Sequence, residues 1–167
     1  MMSINQQKGF TLIGVIISIF ITSTGLVAAL ALANMSIKGA FLGEKRLIAS
    51  GLIQEGIEIV RDVRRSNIEW IDWDWYGNDG AIATSTSQDY LVQYDNASLL
   101  LFAETPLKID GDGFYQYDSG TDTTFYRKVT LTKNSYQEAK VVVEVKWQLK
   151  GQWHYLTAEN HLWKWKD

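Results

Sequence analysis

Hydrophobic and polar positions follow three different rules along this chain. Phe10 to Ala33 reads FTLIGVIISIFITSTGLVAALALA, apolar on every side and relieved only by Ser and Thr, with no ionisable side chain between Lys8 and Lys38. Such a run predicts a helix long enough to cross a bilayer, which takes roughly 20 residues. A secretory signal peptide has a shorter apolar core, about 7–15 residues, ahead of a small-x-small cleavage site. This run is longer than that, although the Ala-rich residues 28–33 keep the alternative open. The core helix of a soluble domain is the other use of an all-round apolar helix, and it needs a second segment of the same kind to enclose it. The rest of the chain has none.

Residues 44–68, EKRLIASGLIQEGIEIVRDVRRSNI, change the rule. At about 100° per residue, the apolar positions 48, 52, 53, 57, 59, 60 and 63 share one broad arc. Gln54, Glu55, Glu58, Arg61, Asp62 and Arg65 share the other. This predicts an amphipathic helix continuing the first, with Glu58/Arg61 and Asp62/Arg65 as i,i+3 pairs on the wet side. Gly25, Gly39, Gly43, Gly51 and Gly56 fall within the helical stretch, each costing about 1 kcal/mol against Ala. In the apolar part, small residues permit close helix packing; Gly39 and Gly43 equally fit a kink or a local break.

From residue 82 the period becomes two. Tyr90–Tyr94 and Leu99–Ala103 read as short strands, and Thr124–Lys133 alternates Phe125, Arg127, Val129 and Leu131 against Tyr126, Lys128, Thr130 and Thr132. Glu138–Lys150 carries Val141, Val143, Val145, Trp147 and Leu149 on one face. Gly151-Gln152 is the expected turn into a last strand over Trp153–Thr157. A sheet apolar on one face needs a cover, and the amphipathic part of the helix is the available one. The expected fold is therefore α+β: a long N-terminal helix, transmembrane and then amphipathic, packed on an antiparallel β-sheet.

Composition narrows the chemistry. The 167 residues hold 16 Lys+Arg against 19 Asp+Glu, a net charge of −3, with no Cys and two His. Without cysteine there are no disulfides, thiol nucleophiles or Cys-ligated metals. Without a basic excess, nucleic acid is not an expected partner. No cofactor and no catalytic group is expected. Lys8 before the apolar run and Lys38, Lys45 and Arg46 after it leave the membrane orientation undecided.

The junction is more telling. Lys8-Gly9-Phe10-Thr11-Leu12 ends a short polar leader and opens directly into the apolar run; it resembles the prepilin signal of type IV pilins and type II secretion pseudopilins. The C-terminal VVVEVKWQLKGQWHYLTAENHLWKW is similar to the closing hairpin of minor pilins. The resemblance implies a pilin-like fold and a non-enzymatic subunit. It also implies cleavage between Gly9 and Phe10 by a membrane prepilin peptidase, and methylation of Phe10. On that reading residues 1–9 are the leader, 10–34 the transmembrane and filament-core helix, 35–68 its amphipathic continuation, and 69–167 a globular β domain with an αβ-loop. Such a chain is a single-pass membrane protein with its C-terminal domain outside the cytoplasm, and part of an extracellular filament after assembly. Its implied partners are other pilins or pseudopilins, the peptidase and methylase, a membrane platform protein, and lipid before assembly. One position departs from the family. The fifth residue after the cut, usually Glu, is Gly14, which removes the carboxylate that pairs with a neighbour's N-terminal amine and implies a minor, tip-located subunit.

Two further clusters invite chemistry. Trp70, Trp73, Trp75 and Tyr76 crowd an acidic stretch that serves either as a binding surface or as a buried seal between helix and sheet. A binding surface there makes the alternative function a membrane-anchored adhesin or a DNA-uptake binding protein. Asp110 and Asp112, in Asp-Gly-Asp-Gly, form a partial calcium pattern lacking the EF-hand's third ligand and closing Glu, and Asp-Gly ordinarily makes a hairpin turn. His154 and His161 have no Ser or Asp partner at a meaningful spacing and read as surface or half-buried residues.

Overall fold

The computed structural model describes residues 12–66, 87–95, 99–135 and 138–163. Helix α1 (Leu12–Ser66) is continuous over 55 residues. Proline is absent from it, and its last turn carries Arg64 and Arg65, at the end of a helix where cations are favoured. The chain divides into two compact units, Met1–Glu44 and Lys45–Asp167.

Among the described residues of the second unit eight strands follow α1: β1 (Ser87–Leu91), β2 (Leu100–Leu101), β3 (Lys108–Ile109), β4 (Tyr115–Gln116), β5 (Thr121–Asp122), β6 (Phe125–Lys133), β7 (Glu138–Leu149) and β8 (Gln152–Trp163). Five form an antiparallel sheet in the order β2-β1-β6-β7-β8, and three short ones form a second sheet, β4-β3-β5. The expected α+β arrangement is present.

Register puts the apolar alternation to use. Val129 pairs with Val143 and Phe125 with Trp147 across β6 and β7, so the core-facing residues of both strands fall on one face. Val129, Leu131, Val143 and Val145 are fully buried there. The residues of α1 that bury against this unit's core are Ala49, Leu52, Ile53, Gly56, Val60 and Val63, which share one face of the helix. Ile48, Ile57 and Ile59, expected in the core, are half-buried. The stripe is centred on small residues because the helix comes close to the sheet. A Cβ on Gly56 would stand 3.1 Å from Val143 Cγ1 and 3.4 Å from Arg127 Cδ, so the bulky isoleucines take the flanks.

Several strand limits differ from expectation. β1 ends at Leu91 because Gln93 turns inward as a clamp. Its amide oxygen accepts from Tyr117 N at 2.8 Å, while its amide nitrogen donates to Asp95 and Asp118. β2 is only two residues long. The last turn lies one residue earlier than expected. Leu149 pairs with Gln152, and Lys150 (φ 52°) with Gly151 (φ 81°) form a two-residue turn of the kind that needs positive φ at both positions. β8 also runs to Trp163, well past Thr157. Its alternation is muted because β8 is an edge strand whose inward positions include the polar or small residues His154, Ala158 and Asn160.

Candidate functional site: the apolar helix and the charges around the sheet

The apolar stretch of α1 presents its side chains outward on every side. Leu12, Phe20, Val27 and Leu32 are each more than three-fifths exposed, and none of the 18-residue apolar window is buried within the protein. A surface of this kind is stable only in lipid or against other apolar helices. Its hydroxyls fit the same solvent. Ser18 donates to the Gly14 carbonyl and Thr22 to that of Ser18, both at 2.8 Å, while Thr24 donates to the Phe20 and Ile21 carbonyls at 3.0 Å. Each polar group is thus satisfied inside the helix, which removes the cost of placing it in hydrocarbon. A Cβ at Gly25, Gly39 or Gly43 would meet nothing within 4 Å. Gly39 and Gly43 lie within unbroken helix, so neither marks a break.

The other candidates separate. Gly9 and Phe10 lie outside the described residues, as do Trp70, Trp73, Trp75 and Tyr76. Asp110 is committed to its own turn: Oδ1 accepts from Asp112 N and Phe114 N, both at 2.9 Å, and Oδ2 from Gln116 at 3.3 Å. The resulting hairpin joins β3 to β4, with Gly113 at φ 91°. Among the described residues no three His, Cys, Asp or Glu converge as metal ligands. His154 stacks on the buried Trp147 ring at 5.5 Å, and His161 is held between Glu138 and Glu159.

One charged residue is more central than its sequence pattern indicated. Arg127 is 1% exposed. Its guanidinium donates to the Leu52 carbonyl of α1 at 3.2 Å and to the Val92 carbonyl at 2.7 Å, and it pairs with Glu55 at 3.2 Å. It therefore fastens helix, β6 and the end of β1 through one side chain. The signal was present as an Arg at an inward position of an otherwise apolar alternation. On the opposite face of the sheet, Lys146 binds Glu104 and stands over the rings of Tyr126 and Trp153 at 5.3 and 5.1 Å. That hydrogen bond raises the Lys146 pKa and lowers that of Glu104, so both stay charged.

Against known families, the prokaryotic N-terminal methylation motif matches residues 4–30, spanning the leader junction and most of the apolar stretch. The chain carries a prepilin signal. Comparison with curated proteins and with solved structures gives no match. The prepilin signal implies processing by a prepilin peptidase and assembly with other pilins, and it marks structural subunits rather than enzymes. The exposed apolar helix directly behind the prepilin signal fits a single-pass membrane anchor.

Proposed function

We propose that this chain is a minor pilin or pseudopilin, a non-enzymatic subunit of a type IV pilus or a type II secretion-like filament. It is cut between Gly9 and Phe10, methylated at Phe10, and held in the membrane by residues 10–34 with residues 69–167 outside the cytoplasm. A membrane platform protein then moves it into a filament whose core these helices build. The observation that carries this reading is the coincidence of a prepilin signal with a helix apolar and exposed on every side.

Gly14 supports a place at or near the tip. A carboxylate within an apolar core is tolerable only when paired, and a subunit with nothing ahead of it needs no such pair. The lateral surface of Val15, Ile16, Ile19 and Phe20 remains available for packing. Quantitative mass spectrometry of purified filaments, with antibody labelling, tests the assignment. A scarce subunit labelled at one end is expected, and Gly14→Glu admits it to the shaft. Stoichiometry equal to that of a major pilin, with label along the whole length, overturns the tip placement.

A further inference from the structure

The outer face of the five-stranded sheet holds a cleft of about 240 Å³, bounded by β1, β6, β7 and the segment after β2. We infer that this cleft is a saccharide-binding site, a role independent of the filament reading of the helix. Three features of its lining select the ligand class.

The first is the state of Lys128. Its ammonium stands 3.9 Å from Asp89 and 3.8 Å from Glu144, beyond hydrogen-bond distance of either, while all three side chains remain a third or more exposed. Donor and acceptors thus converge at a spacing that leaves hydrogen-bonding capacity for a guest. The second is charge balance. Arg127 also borders the cleft but spends its buried guanidinium on Leu52, Glu55 and Val92 on the core side, which leaves Asp89, Glu104 and Glu144 against Lys128 and Lys146. An anion meets excess negative charge, and a bare cation meets an ammonium between the two carboxylates nearest it. A neutral molecule bearing both hydroxyl donors and oxygen acceptors satisfies both signs. The third is the apolar wall. Phe102, 37% exposed, lines the cleft together with Tyr126, whose ring is braced edge-on by Trp153 at 5.7 Å. Aromatic walls beside convergent polar groups suit a ring with one apolar face and a hydroxylated rim, as a pyranose has. The volume is below the roughly 300–1,000 Å³ of drug-sized sites, so one ring fits rather than an extended chain.

The test uses the full chain in phospholipid nanodiscs, so that no sugar-headed detergent competes. Binding of lactose, maltose and N,N′-diacetylchitobiose is measured by saturation-transfer NMR and calorimetry. Saturable binding of at least one, with Kd of about millimolar order as befits a small open site, is expected. Phe102→Ala and Lys128→Met each weaken it roughly tenfold, the equivalent of one lost contact. Trp163→Ala, an exposed aromatic at the far end of β8, leaves it unchanged. Thermal melts of all variants separate lost binding from lost fold. Failure of all three sugars to bind, or binding that survives both substitutions, overturns the inference. So does a basic peptide that binds through Asp89 and Glu144, or a sulfated disaccharide that binds through Lys128, while the neutral sugars do not.

Discussion

The two stretches of α1 are made of the same apolar residue types and obey opposite rules. Over Leu12–Glu44 nearly every side chain is exposed, Val27 by 67%, and hydroxyls turn back on their own helix. Over Lys45–Ser66 one stripe is sealed against the sheet, Val60 to 0%, and the opposite side carries Glu58, Arg61, Asp62 and Arg65 in solvent-facing pairs. In the first stretch the surroundings supply the apolar phase; in the second the protein supplies its own. A helix of 55 residues therefore draws its stability from two different solvents, and a given substitution has a different meaning in each.

The same change made in both stretches exposes that difference most strongly. Val60→Asp puts an unpaired carboxylate in the core and costs about 4 kcal/mol or more, enough to unfold the sheet domain. Val27→Asp leaves the melting of the sheet domain unchanged and instead costs about 2.5–3.5 kcal/mol of membrane insertion. Circular dichroism melts and membrane fractionation read the two effects separately. Equal loss of melting temperature in both variants breaks the distinction.

Arg127→Met is next in size. It keeps the volume of the side chain and strands the Leu52 and Val92 carbonyls, costing about 2–3 kcal/mol in a denaturant midpoint. A neutral outcome shows that the buried charge does not fasten α1 to the sheet.

Glycines sharpen the contrast within the packed stretch. Gly51→Ala meets open space and gains about 1 kcal/mol of helix propensity. Gly56→Ala pushes on Val143 at 3.1 Å, and overpacking of about 1–3 kcal/mol exceeds that gain, for a net loss. Chemical denaturation of the pair checks both signs.

The smallest effect is electrostatic and lies on the outer face. Glu138 first, and then Glu159, raise the His161 pKa by hydrogen bonding to its ring. A raised folded pKa contributes stability that is complete below the ordinary His value of about 6.5 and disappears as pH rises through the folded value. His161→Gln therefore lowers the melting temperature slightly at about pH 6 and not at about pH 9. A loss of the same size at both values contradicts the assignment.

What the sequence made legible follows from how strongly each segment is constrained. The apolar run and the alternation of β6 and β7 are each dictated by a single solvent boundary, so residue type reports position directly. β1 and β8 are less legible. Gln93 leaves β1 for side-chain bonds reaching 24 and 25 residues along the chain, and β8 shows half-buried residues at most inward positions. The inward turn of Ala49 and Gly56 in place of Ile57 and Ile59 depends on how closely helix and sheet approach, which is a tertiary property. The outer-face cleft joins residues from β1, β6, β7 and the segment after β2, and only strand register brings them together.

The most direct measurement is the N-terminal sequence and mass of the chain recovered from its native membrane, beside Gly9→Leu. The expected mature protein begins with methylated Phe10 and retains the apolar helix, while Gly9→Leu keeps residues 1–9 and stays in the membrane. A mature chain starting after residue 28, or Gly9→Leu of normal mature size, contradicts processing at the prepilin signal.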